Sequence, residues 1–236
     1  NDLYERSVQC PESEVKLIYQ AWKELRGRKP ELIREDFCGT SAVARAWVKQ
    51  NDTNSVVGVD LDHAVLTWAN NKIISELTES QVSRITLVEH DVFTVKIPQV
   101  DCTLAMNFSY YGFKKREQLL RYFESVKSGL KDDGVFLLDA YGGSDSFVEM
   151  EESRDMDGFT YVWDQHKYDP ITGDVTNYIH FHFPDGTKLN RAFTYEWRLW
   201  TIPEIREMLL EAGFKKATVY WEGTDEETEE GNGEWE

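Results

Sequence analysis

Apolar positions along this chain fall into two alternating rhythms. Pro11 with Glu12 and Glu14 reads as a helix start, and Val15, Leu17, Ile18, Trp22 and Leu25 then recur near helical spacing until Gly27 stops them. Residues 32–37 are short and apolar enough for a strand. Residues 40–50 return to helical spacing, with Val43, Ala44, Trp47 and Val48 on one side. Residues 55–60 (SVVGVD) form an unbroken apolar run of the kind buried on both faces of a parallel sheet. Asp62 caps a helix running to about residue 76. Strands are expected at 85–88 and 102–106, and a helix at 114–130 buries Leu119, Leu120, Phe123, Val126 and Leu130. A turn at Asp132-Asp133-Gly134 then leads into a strand at 135–140.

Strands alternating with helices at this pitch predict an α/β domain with a doubly wound, mostly parallel sheet. The rhythm then breaks. Residues 159–163, 175–183 and 188–197 read as antiparallel strands, joined at Asp169-Pro170 to Gly173 and at Pro184-Asp185-Gly186. A helix at 203–212 closed by Gly213 and a last strand at 215–221 return to the first pattern. The expected division is an amino-terminal cap helix (1–30), a core (31–142 and 199–222), an antiparallel β insert after the fifth strand (143–198) and an acidic tail (223–236).

Length and composition narrow the function classes. The 236 residues suffice for one large domain with an insert, and 41% hydrophobic residues exclude a disordered chain. The net charge of −17 disfavours nucleic acid and anionic membranes as partners, and leaves small neutral or cationic substrates. Eight acids and no base stand between 222 and 236, so the remainder carries −17 + 8 = −9, and the tail reads as a solvated end. Cys10, Cys38 and Cys102 form no C-x-x-C pair, which supports neither a zinc ribbon nor a disulfide framework and points to a reducing, cytoplasmic compartment. No apolar run has the length of a membrane span. The first residues do not resemble a signal peptide, and the missing initiator Met points to a trimmed start.

Candidate chemistry sits where strands hand over to helices, the ligand edge of an open α/β sheet. The first turn, Glu35-Asp36-Phe37-Cys38-Gly39-Thr40-Ser41, has one glycine, against the three of a dinucleotide loop, and lacks the Gly-Lys-Ser/Thr of a phosphate loop. Gly39 allows close approach of a ligand. Asp60, about twenty residues on, is placed to accept from both hydroxyls of a ribose, since Asp62 already serves as the helix cap. At the third strand end, Asp91 can accept from an exocyclic amine and the Val92 amide can meet a ring nitrogen.

These residues together resemble the class I S-adenosylmethionine-dependent methyltransferases. Residues 32–41 (LIREDFCGTS) look like that family's first motif, hydrophobic-acid-x-x-C-G-T-G, with Ser41 in place of the last glycine. Residues 56–60, 89–92, 101–108 and 129–139 (GLKDDGVFLLD) are similar to the motifs that follow. The resemblance implies S-adenosyl-L-methionine as cofactor. It places Glu35 near the cofactor amino group, Gly39 at the methionine part with Phe37, Cys38 and Thr40 around it, Asp60 and Leu61 at the ribose, Asp91 and Val92 at the adenine, and Asn107 and Phe108 at the methionine end beside the substrate. The fourth strand lacks the N-P-P-Y or D-P-P-Y signature of base and glutamine methylation. The layout is similar to glycine N-methyltransferase and the sugar-amine methyltransferases, which implies that the segment before the first long helix covers the cofactor, with Tyr4 and Gln9 as its contacts.

The insert holds 11 aromatic residues between 159 and 200, against 31 in the whole chain, about twice the average density. Trp163, Tyr178, Tyr195 and Trp197 are the expected substrate wall, because ring faces attract cationic nitrogen. The same rings would also suit a plain β core or a homodimer surface. His180 and His182 share one strand face without an acidic partner at a ligand spacing, so no metal is expected; His180 serves better as a base. Tyr110 and Tyr141 are expected at the reacting centre. The reading reached is a small-molecule methyltransferase acting on an amine by direct in-line transfer. Its alternatives are an O-methyltransferase with a His or Tyr base, and a catalytically silent protein that binds through the same fold. An aminopropyltransferase lacks its paired acids at Met106-Asn107.

Overall fold

The computed structural model describes residues 1–224 and 231–235. Two short-range signals shape the start of the chain. Helix α1 (Asp2–Val8) is brief, and α2 (Pro11–Arg26) begins with proline in its first turn and ends on Gly27 in the left-handed region, φ 69°. Val15, Ile18, Ala21 and Trp22 form its buried stripe. Strand β1 (Leu32–Asp36), α3 (Ala42–Gln50), β2 (Ser55–Asp60) and α4 (His63–Glu76) follow within a residue or two of expectation. Asp62 caps α4 by accepting from the amides of Ala64 and Val65. A one-turn helix, α5 (Glu79–Val82), precedes β3 (Ile85–Glu89). Then come β4 (Val100–Ala105), α6 (Arg116–Gly129) and β5 (Leu130–Leu138).

These strands form one parallel sheet in the order β3-β2-β1-β4-β5. The order reverses between β1 and β4, which opens a crevice at their carboxyl ends. The sheet's two faces are filled separately. Trp22, Ile33, Trp47 and Cys102 lie in one core, with α2 and α3, and Tyr110, Tyr122, Phe123 and Trp200 lie in the other, with α6 and the closing helix.

The second sheet is antiparallel, β6 (Met150–Met156), β7 (Phe159–Tyr168), β8 (Asp174–His182) and β9 (Lys188–Arg198), in that spatial order. Helix α7 (Ile202–Glu211) opens on a capping box, Thr201 with Glu204. No described helix is long and apolar enough to cross a membrane.

Four local expectations differ from the structure. Asp132-Asp133-Gly134 is no turn; it lies inside β5, whose pairing shifts register between Val100 and Cys102. Strand β6 has no apolar rhythm to announce it. Its sequence, MEESRDM, is an edge strand whose central residues are exposed. Residues 215–221 form no strand: Val219 and Trp221 alternate as a strand would, yet both remain exposed and β5 stays the edge of the sheet. Past them, where the sequence reads as a solvated acidic end too polar and Gly-rich for a buried strand, β10 (Glu222–Thr224) pairs antiparallel with β11 (Gly231–Trp235) in a ribbon separate from the main sheet. The rest of the expected tail, 225–230 and 236, lies outside the described residues.

Candidate active site

The crevice is built first from β1. Its last residues turn through Phe37 (φ 55°) and Gly39 (φ 48°) into Ser41 (φ 57°), three left-handed residues within five. A Cβ on Gly39 would meet only the Phe37 carbonyl, at 3.9 Å, so that flank of the turn is open. Cys38 is buried against β2, and a Cβ on Gly58 would stand 2.9 Å from its Sγ, so the turn can settle there only over glycine.

Asp60, ending β2, accepts from the Gly39 amide at 2.8 Å and from the Asp62 amide at 2.9 Å. Both carboxylate oxygens are therefore aimed and keep lone pairs for further donors. Leu61 beside it is largely exposed. After β3, the Asp91 carboxylate accepts from the Phe93 amide at 2.9 Å. Arg34 fixes the neighbouring Val92, donating to its carbonyl at 3.1 Å while paired with buried Asp36 at 3.0 Å. Burial pushes Asp36 up to about 6, against the pull of Arg34 and the Tyr122 hydroxyl.

Asn107 and Phe108, after β4, are consecutive left-handed residues, φ 57° and 56°. Asp139, at the end of β5, accepts from both their amides, at 2.7 and 3.0 Å. Burial still pushes Asp139 up to about 7. Two further carboxyls share this neighbourhood. Burial raises Glu14 to about 8, with Asp139 adding to it, and raises Glu35 well above the carboxylate range, with Glu14 adding to it. The Oε2 atoms of Glu14 and Glu35 are buried without a hydrogen-bond partner. Orphaned buried carboxyl oxygens suit a cationic ligand group, which would draw their protons off by its charge, and this pair of acids fits an α-ammonium beside a sulfonium. Glu14 and Asp139 escaped sequence reasoning, because their partners lie far along the chain and burial, rather than spacing, sets them apart.

The amino-terminal segment closes over this crevice. Thr40 donates to the side-chain oxygen of Gln9 at 2.8 Å. Arg45 ties α3 to α1 through Glu5 at 2.5 Å and to α4 through Glu76 at 3.1 Å. Tyr4 is pushed above its usual range by burial, with Asp139 and Glu14 adding to the effect. It forms part of a cavity of about 210 Å³, together with Val8, Asn107, Phe108, Tyr141, Tyr161, Trp163, Ile179, Tyr195 and Trp197. Ring centroids run in a chain around it: Phe108 to Tyr141 at 5.6 Å, Trp163 to Tyr195 at 5.8 Å and Tyr195 to Trp197 at 4.5 Å.

The structure thus brings Trp163, Tyr195, Trp197 and Tyr141 to one cavity beside Asn107 and Phe108. It does not bring Tyr178 or His180 there. On β8 the buried positions are Val175, Asn177, Ile179 and Phe181, so Tyr178 and His180 face away. His180 Nδ1 accepts from the Arg191 amide at 3.1 Å, which leaves Nε2 to donate to Asp164 at 3.2 Å. Tyr110 is also absent from the cavity wall: it is wholly buried, and its hydroxyl donates to the Asp139 carbonyl at 2.6 Å.

No family model matches this sequence. A protein of Bacillus subtilis (strain 168) named Putative methyltransferase YqeM is 24% identical over 223 residues, 89% of this chain and 85% of its own length. A crystal structure of an S-adenosylmethionine-dependent methyltransferase from Clostridium acetobutylicum ATCC 824 superposes with a TM-score of 0.70 at 21% identity, covering 89% of this chain and 85% of that one. The fold is that of the S-adenosylmethionine-dependent methyltransferases. CalS10 of Micromonospora echinaspora, an amino pentose methyltransferase with S-adenosylmethionine bound, shares it over 98% of this chain and 92% of its own, with a TM-score of 0.73 at 15% identity. In this methyltransferase fold the parallel sheet supplies the crevice and the antiparallel sheet supplies the aromatic wall.

Proposed function

We propose that this chain is an S-adenosylmethionine-dependent methyltransferase whose acceptor is an amine nitrogen of a small molecule. The observation that carries the reading is the aromatic cavity meeting the Asn107–Phe108 turn, directly beside the strand-end crevice. When bound, S-adenosylmethionine supplies an electrophilic methyl group on a sulfonium. Asp60 holds the ribose hydroxyls, with Leu61 alongside. Asp91 and the Val92 amide read the adenine. Glu35 and Glu14 receive the amino end, and Gly39, with Phe37, Cys38 and Thr40, gives the methionine part its close approach. Tyr4, Gln9, Asn107 and Phe108 close the methyl-bearing end against water.

The acceptor enters between Trp163, Tyr195 and Trp197, whose ring faces favour a positively charged or alkylated nitrogen by roughly 0.5–2 kcal/mol per ring. In-line transfer to a free amine asks mainly for proximity and alignment. An alcohol asks for a base. His180 faces away from the cavity, the Tyr110 hydroxyl is engaged with the Asp139 carbonyl, and the Tyr141 hydroxyl, in the cavity wall, donates to Gln165 and is held above its usual range by burial, which favours nitrogen over oxygen. The amino pentose methyltransferase among the structural relatives is consistent with this choice.

Isotope-labelled methyl transfer to matched amines and alcohols tests the reading. Label is expected in amines at a rate well above that in their hydroxyl counterparts. Label found only on oxygen would sink the nitrogen assignment, and no transfer together with no cofactor binding would leave a silent fold.

A further inference from the structure

The amine reading says nothing of what else the acceptor carries. The aromatic cavity adjoins a larger groove of about 570 Å³ between α1 and strands β6 and β7, and the two share Val8, Tyr161 and Trp163. One molecule can therefore lie in both. Arg6 and Arg154 stand in the groove wall.

Neither arginine forms an ion pair among the described residues, in a chain whose net charge is −17. Both are nonetheless held in place. Arg6 donates to the Asp157 carbonyl at 2.6 Å and stacks 5.0 Å from the Phe159 ring centre. Arg154 donates to the Ser7 carbonyl and stacks 5.4 Å from the Tyr161 ring centre. A guanidinium has five donors, so each keeps several free in a fixed plane. Glu152, in the same wall, is one carboxylate against two guanidiniums. At the other end of the path, Glu14 and Asp139 sit close to Tyr4, in the wall of the aromatic cavity. The path therefore runs from two guanidiniums at the groove to carboxyls at the inner cavity, whose protons burial holds up to about 7 and 8.

We infer that the groove is a subsite for an acid group, carboxylate or phosphate, on the acceptor whose amine enters the aromatic cavity. This rests on the amine reading and deepens it. A planar guanidinium pairs with either acid group through two parallel hydrogen bonds, which fixes the direction of the ligand as well as its affinity. A dipolar acceptor is then aligned with its nitrogen toward the methyl donor before any chemistry begins.

Binding of matched pairs by calorimetry, with the demethylated cofactor present, tests this without turnover. The pairs are 2-aminoethyl phosphate against ethanolamine, β-alanine against its amide, and glucosamine 6-phosphate against glucosamine. In at least one pair the acid member is expected to bind about tenfold tighter or better, the smallest ratio for a charge-assisted hydrogen bond. Which pair shows the larger ratio tells phosphate from carboxylate. Arg6→Gln and Arg154→Gln should each shrink the ratio toward one, while Arg154→Lys, which keeps the charge, retains part of it and guards against a folding defect. Equal binding within all three pairs, no binding of any acid member at millimolar concentration, or a ratio that survives both glutamine substitutions would overturn the subsite. Methyl transfer to neutral amines without acid preference would uphold the amine reading and overturn this one. Acid-selective binding with transfer only to oxygen would do the reverse.

Discussion

Ser41 begins α3 with φ 57°, a conformation natural to glycine and costly to a residue with a Cβ. It stands where the family's first motif has its last glycine, so the sequence departs from the motif while the backbone keeps its shape. Ser41→Gly is expected to leave stability unchanged or to raise it by up to about 1 kcal/mol, whereas Ser41→Val at the same φ costs roughly 1–3 kcal/mol. Urea melts of the two variants read this directly, and a destabilised Gly variant beside a neutral Val variant would refute the strain. The placement of Gly39, Asp60 and Asp91 at the strand ends is legible because each is a single residue type at a position that the alternation of strands and helices fixes. Glu14 and Asp139 are not: Asp139 matters because it holds the amides of residues about thirty positions upstream, and no local pattern encodes that.

Most elements with a clear period match the sequence reading within a residue or two, since burying one helical stripe or a strand's full surface leaves a periodic mark, whereas β5 begins five residues before its expected start and β7 runs five residues past its expected end. Strand β6 left none because both its faces are wet, and residues 215–221 left a false one. The antiparallel sheet was legible as strands, yet the sequence could not say which alternate positions faced inward, so Tyr178 and His180 were grouped with Trp163 and Tyr195. Those two sets now make opposite predictions. Trp163→Ala and Tyr195→Ala remove rings from the cavity, and at least one is expected to weaken acceptor use by about tenfold or more while cofactor affinity holds. Tyr178→Ala and His180→Ala, on the face turned away from the cavity, should leave acceptor kinetics within about twofold, because neither side chain lines it. Steady-state kinetics separates the sets. Equal losses from both faces would contradict the placement.

The whole molecule carries several carboxyls whose pKa values are raised in the fold: Glu14 to about 8, Asp36 to about 6, Asp139 to about 7, and Glu35 well above the usual range. Raised acids bind more protons folded than unfolded, so their protonated contribution is complete below about pH 4 and is lost as pH climbs through these values. Asp101 works in the other direction. Against the desolvation that raises it, the Glu31 amide and the Lys131 ammonium bring it down to about 2, and its contribution is lost as pH falls from about 4 toward 2. Melting temperature of the ligand-free chain is therefore expected to peak near about pH 4–5 and to decline toward pH 8. Self-repulsion from the −17 net charge acts with the same sign. A melting temperature that climbs steadily from pH 5 to 8 would contradict the placement of these carboxyls.

Cofactor recognition by the strand ends is the claim on which the rest depends, and Asp60 is its most exposed link. Calorimetric titration of S-adenosylmethionine into the wild-type chain and into Asp60→Ala tests it most directly. The account predicts saturable binding to the wild type and a loss of about 1.5–3 kcal/mol, roughly tenfold to a hundredfold or more, in the variant, because the ribose hydroxyls lose a charged acceptor. Binding of equal strength to both chains, or no binding to either, would contradict it.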